Sequence, residues 1–357
     1  MKKVMCFFIL LSSIFVNKNV NGQQNQYVSK SYIVLNTLNN EMIEGKDVHL
    51  IRSVASVSKI MTAIVAIESG KLDKEVIITK EDIDTYGSSI YLKEGNKIVL
   101  LDLVYGLMLR SGNDAAKAIA RYVGGSVENF ASMMNEKAKE IGMKNSTFTN
   151  PSGLDVNETG NLSTSYDLAL LMSYAIKNEI FLEISSTKEY KSEIGTWANK
   201  NKLLRSYNKT IAGKTGFTYK AKRTLVTAAK DDENTFIVVT LDCGNDFNFH
   251  KYLYEKNFDI YKSLKVLNEG ENYIDNYLVT CQTNIYATLD KNNIENYSIE
   301  HHIVNNKSKV YLINGDDKKL IGECKAEETK IPQYKKSIWQ KIKEIFIKNK
   351  NPGNPGN

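Results

Sequence analysis

Residues 210–242 contain TIAGKTGFT (210–218), RTLVTAAK (223–230) and TFIVVTLD (235–242), three short runs of strand character separated by polar turn residues. Consecutive strands with short connections pair as neighbours, so this stretch predicts an antiparallel sheet. Upstream, YIVLNTLNNEMIE (32–44) sets two apolar stretches around an Asn-rich turn, which predicts a hairpin and brings the sheet to five strands. A helix over Phe249–Leu264 is expected to return and cover it.

Between the hairpin and these strands the apolar period is helical. SVSKIMTAIVAIESG (56–70) repeats apolar residues at helical spacing and stops at Gly70, placing Ser56 on the helix's first turn. LLDLVYGLMLR (100–110), AAKAIARYV (115–123) and VENFASMMNEKAKEI (127–141) follow, punctuated by Ser111-Gly112-Asn113, Gly124-Gly125 and Gly142. Another helix follows Thr164, which with Asp167 forms an expected capping box. The reading is an α+β fold, a helical cluster on a five-stranded antiparallel sheet, over residues 27–264. Alternating stretches such as TNIYATLD (283–290) and KVYLING (309–315) predict a small β domain over residues 265–330.

The chain of 357 residues, 42% hydrophobic and 25% charged, is long enough for a large core and a smaller second domain. Its net charge of +6 is spread along the chain and concentrated only near the C-terminus, which speaks against nucleic-acid binding. Met1-Lys2-Lys3, the apolar run Val4–Val16 and the polar flank after it form an export signal over residues 1–22, too short to span a bilayer comfortably. A retained N-terminal anchor is the alternative. KKSIWQKIKEIFIKNK (335–350) carries Ile338, Trp339, Ile342, Ile345 and Phe346 on one stripe and lysines opposite, an amphipathic helix suited to a membrane surface. Packing on the protein itself is the other reading.

Cys243, Cys281 and Cys324 follow no CxxC spacing and are expected as small buried hydrophobes. His49, His250, His301 and His302 match no metal-ligand pattern, so no metal or cofactor is expected.

Chemistry enters with Ser56 and Lys59, which a helix brings one turn apart on one face, where an amine reaches a hydroxyl. SxxK alone is weak, since it also begins at Ser185 and Ser206. A lysine acts as base only when neutral, which requires burial or a neighbouring cation. Lys214, opening Lys214-Thr215-Gly216 on a predicted strand, is such a cation and would also attract a carboxylate. Gly216 leaves room for a ligand backbone beside the strand.

SVSK at Ser56, SGN at Ser111 and KTG at Lys214 resemble the three motifs of penicillin-binding serine enzymes, in family order. The resemblance covers residues 32–264 and, more weakly, the β domain and terminal helix. FTNPSGLD from Phe148, and Gly213 before the third motif, are similar to the low-molecular-mass D-alanyl-D-alanine carboxypeptidases of peptidase family S11. The resemblance implies a β-lactamase/penicillin-binding-protein-like domain acting outside the cytoplasmic membrane on peptidoglycan stem peptides, with β-lactams as covalent inhibitors. It implies that Ser56 attacks, Lys59 takes the proton, and Ser111 relays one to the leaving nitrogen. Asn113 would orient the acyl side chain, Lys214 and Thr215 would bind the terminal carboxylate, and Gly216 would border the ligand. The N–H groups of Ser56 and Phe217 would hold the oxyanion.

Gly112 where class A β-lactamases carry Asp, and Glu158 followed by Thr159-Gly160-Asn161 with no ExxLN segment, weaken a β-lactamase reading. Val57-Ser58 departs mildly from the carboxypeptidase pattern and keeps the Ser–Lys spacing. The bland alternatives are a helix cap at Ser56, an inter-helix turn at Ser111–Asn113 and a strand-edge bend at Lys214–Gly216. Arg223 fits either carboxylate binding or a surface cation. A transpeptidase, an endopeptidase, an inactive wall-binding scaffold and a membrane-targeted structural protein stand as rivals.

Overall fold

The computed structural model describes residues 27–155 and 160–329. The hairpin forms as strands β1 (Ser29–Asn36) and β2 (Glu41–Lys46). Helices α1 (Lys59–Glu68), α2 (Leu100–Leu109), α3 (Asn113–Gly124), α4 (Val127–Ile141), α5 (Ser165–Ala175) and α6 (Glu179–Ser186) follow. The chain then returns through β3 (Thr210–Thr218), β4 (Lys222–Asp231) and β5 (Asn234–Cys243), and helix α7 (Asp246–Ile260) closes the unit. The sheet order is β2-β1-β5-β4-β3, antiparallel throughout.

Both faces of this sheet are covered. Ile33, Leu35, Val226, Ala228, Ile237 and Val239 join the core of the helical cluster. Their neighbours Val34, Leu225, Phe236 and Val238 pack against Phe249, Leu253, Tyr254 and Phe258 of α7. Two-sided burial explains why TFIVVTLD lacks the polar alternation of a half-exposed strand. α1 lies at the centre of the cluster, with every residue from Lys59 to Ile67 buried. A helix apolar all round is an interior helix. Lys59 is the one charged side chain on its buried length.

Three local expectations change. α7 begins at Asp246 and ends at Ile260, and residues up to Leu264 belong to strand β6 (Tyr261–Leu267). There Leu264 and Val266 are two apart, a strand period that the helical reading overran. Thr164 caps α5 by accepting from the Asp167 N–H at 3.0 Å. The Asp167 carboxylate instead accepts from the Asn145 N–H and the Ser146 hydroxyl, leaving only half a capping box.

The β region contains β7 (Gly270–Ile274), β8 (Tyr277–Cys281), β9 (Ile285–Asp290), β10 (Tyr297–Val304), β11 (Lys307–Asn314) and β12 (Asp317–Glu328). Its main sheet runs β7-β8-β12-β11-β10, while β6 pairs with β9. Asn36 reaches across from the first sheet to Ser263 and Thr288 at 2.8 and 3.0 Å. The third cysteine expectation is also corrected: Cys281 and Cys324 form a disulfide. Thr280 faces Lys325 across β8 and β12, so the next register position brings the two thiols together. Cys243 remains a buried free thiol.

The expected export segment (1–22) and amphipathic helix (335–350) lie outside the described residues. No helix among the described residues is long and apolar enough to cross a membrane.

Replacing Cys281 and Cys324 together by Ala should cost about 2 to 4 kcal/mol of β-region stability, because the bond closes a long loop in the unfolded chain. Denaturant unfolding of both forms checks this, and equal midpoints would remove the bond from that role.

Candidate active site

Ser56 sits in a 3-10 turn, Ala55–Ser58, that leads directly into α1. The helical spacing carries Lys59 beneath it, with Nζ 3.0 Å from Ser56 Oγ. Two carbonyl oxygens complete the surroundings of that amine, Asn113 Oδ1 at 2.8 Å and Ser152 O at 2.5 Å. A neutral amine has two N–H donors and one lone pair, which match two carbonyls and one hydroxyl. Lys59 is fully buried and its pKa is held well below the usual lysine range, by burial first and then by the charges of Lys214 and Lys200, against the opposing pull of Asp114. The Ser56 hydroxyl therefore faces an amine whose charged form is disfavoured by its surroundings.

The break between α2 and α3 supplies the second wall. Ser111 adopts a left-handed backbone (φ 64), a conformation that costs of order 1 kcal/mol for a residue with a Cβ. Asn113 and Asp114 open α3 and bind the segment before α2: Asn113 donates to Tyr86 O at 2.6 Å, and Asp114 accepts from the Ser89 hydroxyl and the N–H groups of Ile90 and Leu92.

β3, the edge strand, is the third wall. Lys214 is buried, with Nζ 3.1 Å from Ser111 Oγ and 2.8 Å from Thr215 O. Burial, helped by the Lys200 charge, lowers its pKa to about 7. A Cβ at Gly216 would lie 3.0 Å from Ser56 N and 2.4 Å from Thr224 Oγ1, so only glycine lets the strand run this close to the nucleophile turn. Phe217 follows, 58% exposed. Ser56, Ser111, Asn113, Thr215, Gly216 and Phe217 line one cleft of about 670 Å³, and Lys59 and Lys214 lie beneath it.

Other participants were not singled out from the sequence. Ser152 contributes through its carbonyl, held by a turn in which Asn150 Oδ1 accepts from the Ser152 and Gly153 N–H groups. Gly153 has φ +77, and a Cβ there would meet Ala55 O at 2.0 Å. The Asn-Pro-Ser-Gly signature marks such a turn but not what it touches. Lys200, which donates to Ser88 Oγ at 2.8 Å, lies in a polar stretch with no distinguishing pattern.

The histidines stand apart from this chemistry. His250 is bracketed by Thr227 and Thr240 hydroxyls at 2.8 and 2.9 Å, and burial lowers its pKa to about 3. Arg223 is engaged by the Asp246 carboxylate at 2.6 and 3.1 Å. Among the described residues no group of His, Cys, Asp and Glu could hold a metal ion.

Known proteins are similar to this chain. The profile of the S11 peptidases, described as D-alanyl-D-alanine carboxypeptidase, matches residues 18–245. D-alanyl-D-alanine carboxypeptidase DacF of Bacillus subtilis is 30% identical over 275 residues, covering 69% of each chain. DacB2 of Mycobacterium tuberculosis is 32% identical over 205 residues, 56% of this chain and 70% of its own. Penicillin-binding protein 5 of Haemophilus influenzae shares the fold at a TM-score of 0.77 and 22% identity, over 85% of this chain and 97% of that one. With the profile spanning well over half of the sequence, the chain belongs to the S11 family of D-alanyl-D-alanine carboxypeptidases.

Proposed function

We propose that this cleft removes the terminal D-alanine from peptidoglycan stem pentapeptides, with Ser56 as nucleophile and Lys59 as its base. The observation that carries the reading is the 3.0 Å contact between Ser56 Oγ and a fully buried Lys59 amine. Ser56 Oγ attacks the carbonyl carbon of the penultimate D-alanine while Lys59 takes the hydroxyl proton. The carbonyl oxygen becomes an oxyanion held by the N–H groups of Ser56 and Phe217. Ser111, in contact with Lys214, relays the proton held by Lys59 to the leaving nitrogen as the C–N bond breaks, so Lys59 is neutral again as D-alanine departs. Water, deprotonated by Lys59, then cleaves the Ser56 ester and returns the hydroxyl. A β-lactam acylates Ser56 by the same attack, its opened ring remaining attached.

In this scheme β3 offers its edge to an extended peptide, Thr215 and Lys214 take the terminal carboxylate, and Asn113 orients both the acyl group and Lys59. Residues 27–264 carry the chemistry, and the β domain of residues 265–330 follows it. The export signal (1–22) delivers the enzyme outside the cytoplasmic membrane, and the amphipathic helix (335–350) holds it at the membrane surface. Support for the helix is the Trp339 and Phe346 stripe opposite lysines, suited to the interface of an anionic bilayer.

Fluorescent penicillin should label the protein covalently, and Ser56→Ala should abolish labelling while the circular dichroism spectrum persists. Labelling that survived would remove Ser56 from its role.

Lys59 works deprotonated, so kcat/KM falls as pH drops through its depressed pKa. Lys214 works protonated, so kcat/KM also falls as pH rises through about 7. Lys214→Arg keeps its charge at all working pH and should move the alkaline limb upward by a unit or more (~tenfold in protons). A limb that stayed in place would free Lys214 from setting it. Deleting residues 335–350 should shift the protein from membrane to soluble fractions, and an unchanged distribution would point to the N-terminal segment.

A further inference from the structure

FTNPSGLD ends on Asp155, a residue to which the reaction above assigns nothing. Its carboxylate lies between two hydroxyls: Oδ1 accepts from Ser53 Oγ at 2.7 Å and Oδ2 from Thr218 Oγ1 at 2.5 Å. Ser53 stands just ahead of the Ser56 turn, and Thr218 directly follows Phe217 at the end of β3. The bridge therefore joins the two chain segments that carry the proposed oxyanion donors. Gly160 passes close over it, since a Cβ there would lie 2.2 Å from Asp155 Oδ1.

β3 is an edge strand, paired on one side with β4 alone, so its outer end depends on ties from outside the sheet. One tie runs from β4, where Thr224 Oγ1 donates to Val54 O at 3.0 Å, and Asp155 supplies another. A carboxylate only accepts, so both hydroxyls turn their protons to it. That leaves a lone pair of Thr218 Oγ1 for the Ala221 N–H at 3.0 Å, and one side chain thereby sets the end of β3 and the turn after it. Hydrogen bonds weaken steeply as donors move out of line, so an oxyanion held by two backbone N–H groups is sensitive to their separation. Asp155 also meets the wall before α2, where the Tyr86 hydroxyl donates to its backbone carbonyl at 3.2 Å, a contact that any residue at this position keeps.

We propose that Asp155 is a positioning residue that, through Ser53 and Thr218, holds the Ser56 and Phe217 N–H groups at the separation the oxyanion requires. The inference rests on the carboxypeptidase reading and deepens it. Asp155 is not among the residues that line the cleft, so it acts on the rate of acyl transfer and not on how tightly the intact ligand is held. Nor does it touch the Lys59 amine, whose partners are Ser56, Asn113 and Ser152.

The test is the acylation of Ser56 by benzylpenicillin, followed by stopped flow so that the dissociation constant of the first complex is separated from the acylation rate constant. Wild type is compared with Asp155→Ala, Asp155→Asn, Thr218→Val and the double variant Asp155→Ala/Thr218→Val. Asp155→Ala should slow acylation by about tenfold to a hundredfold, as an ångström-scale misplacement does, and leave the first complex unchanged. Asp155→Asn, which accepts from one hydroxyl and donates to the other, should keep most of the rate. Thr218→Val preserves the β-branched shape suited to a strand and should slow acylation as Asp155→Ala does, with the double variant no slower than the slower single. The acid limb of the rate, set by Lys59, should stay in place throughout. Thermal unfolding establishes which variants fold, and Thr218→Val carries the test should Asp155→Ala not fold. Unchanged acylation in a folded Asp155→Ala or Thr218→Val, additive losses in the double variant, an Asp155→Asn as slow as Asp155→Ala, a weakened first complex or a shifted acid limb each overturns this inference alone. A wild type that benzylpenicillin never acylates overturns the carboxypeptidase reading and this one with it.

Discussion

The buried amine of Lys59 is the constraint around which the structure is arranged. An isolated ammonium taken into a protein interior costs several kcal/mol, comparable with the whole stability of a domain, about 5 to 15 kcal/mol. α1 nonetheless places this side chain among Ile60, Met61 and Ile64 at full burial. Among the described residues no carboxylate lies within hydrogen-bonding distance of Nζ, whose partners are a hydroxyl and two carbonyl oxygens. The amine's pKa is lowered in response, burial being the largest cause. Burial thus disfavours the charged form of this side chain, the condition that the proposed base role requires.

Two chain segments converge to give that amine its carbonyl partners, and a third closes on the Ser56 turn beside it. The Asn150 turn fixes the Ser152 carbonyl, and Gly153 allows it to press on Ala55. The first turn of α3 binds Tyr86 to Leu92 through Asn113 and Asp114. β3 slides past the Ser56 turn because Gly216 has no Cβ. Rigid elements on both sides of the sheet hold these pieces, so the cleft is preformed and its precision is set by core packing.

Much of this was legible beforehand, for identifiable reasons. Strand and helix periods exposed the five-stranded sheet and its helical cover, because apolar burial imposes those periods. Ser56, Lys59, Ser111 and Lys214 were found because motif spacing survives as a linear pattern. What stayed hidden was non-local. Cys281 and Cys324 are 43 residues apart and meet only through the register of β8 on β12. The Ser152 carbonyl is a backbone atom that any residue could present. Lys200 looks in sequence like any other lysine, and its meaning lies in which charges it neighbours. The helix end at Ile260 was misjudged because α7 passes into β6 without a breaker residue.

The charge pattern of the cleft also orders its proton chemistry. Lys214 and Lys200 both push Lys59 toward neutrality, yet burial is the larger cause of its depression. That ranking matters once an anion arrives. A carboxylate beside Lys214 cancels part of the repulsion among the cations and favours the charged form of Lys214, whose free-state pKa lies near 7. If cation repulsion were the chief reason for Lys59 being neutral, the same carboxylate would re-protonate the base and halt the reaction. Desolvation is the largest cause for both lysines, so what would separate them is the carboxylate itself, which in the proposed reaction lies beside Lys214.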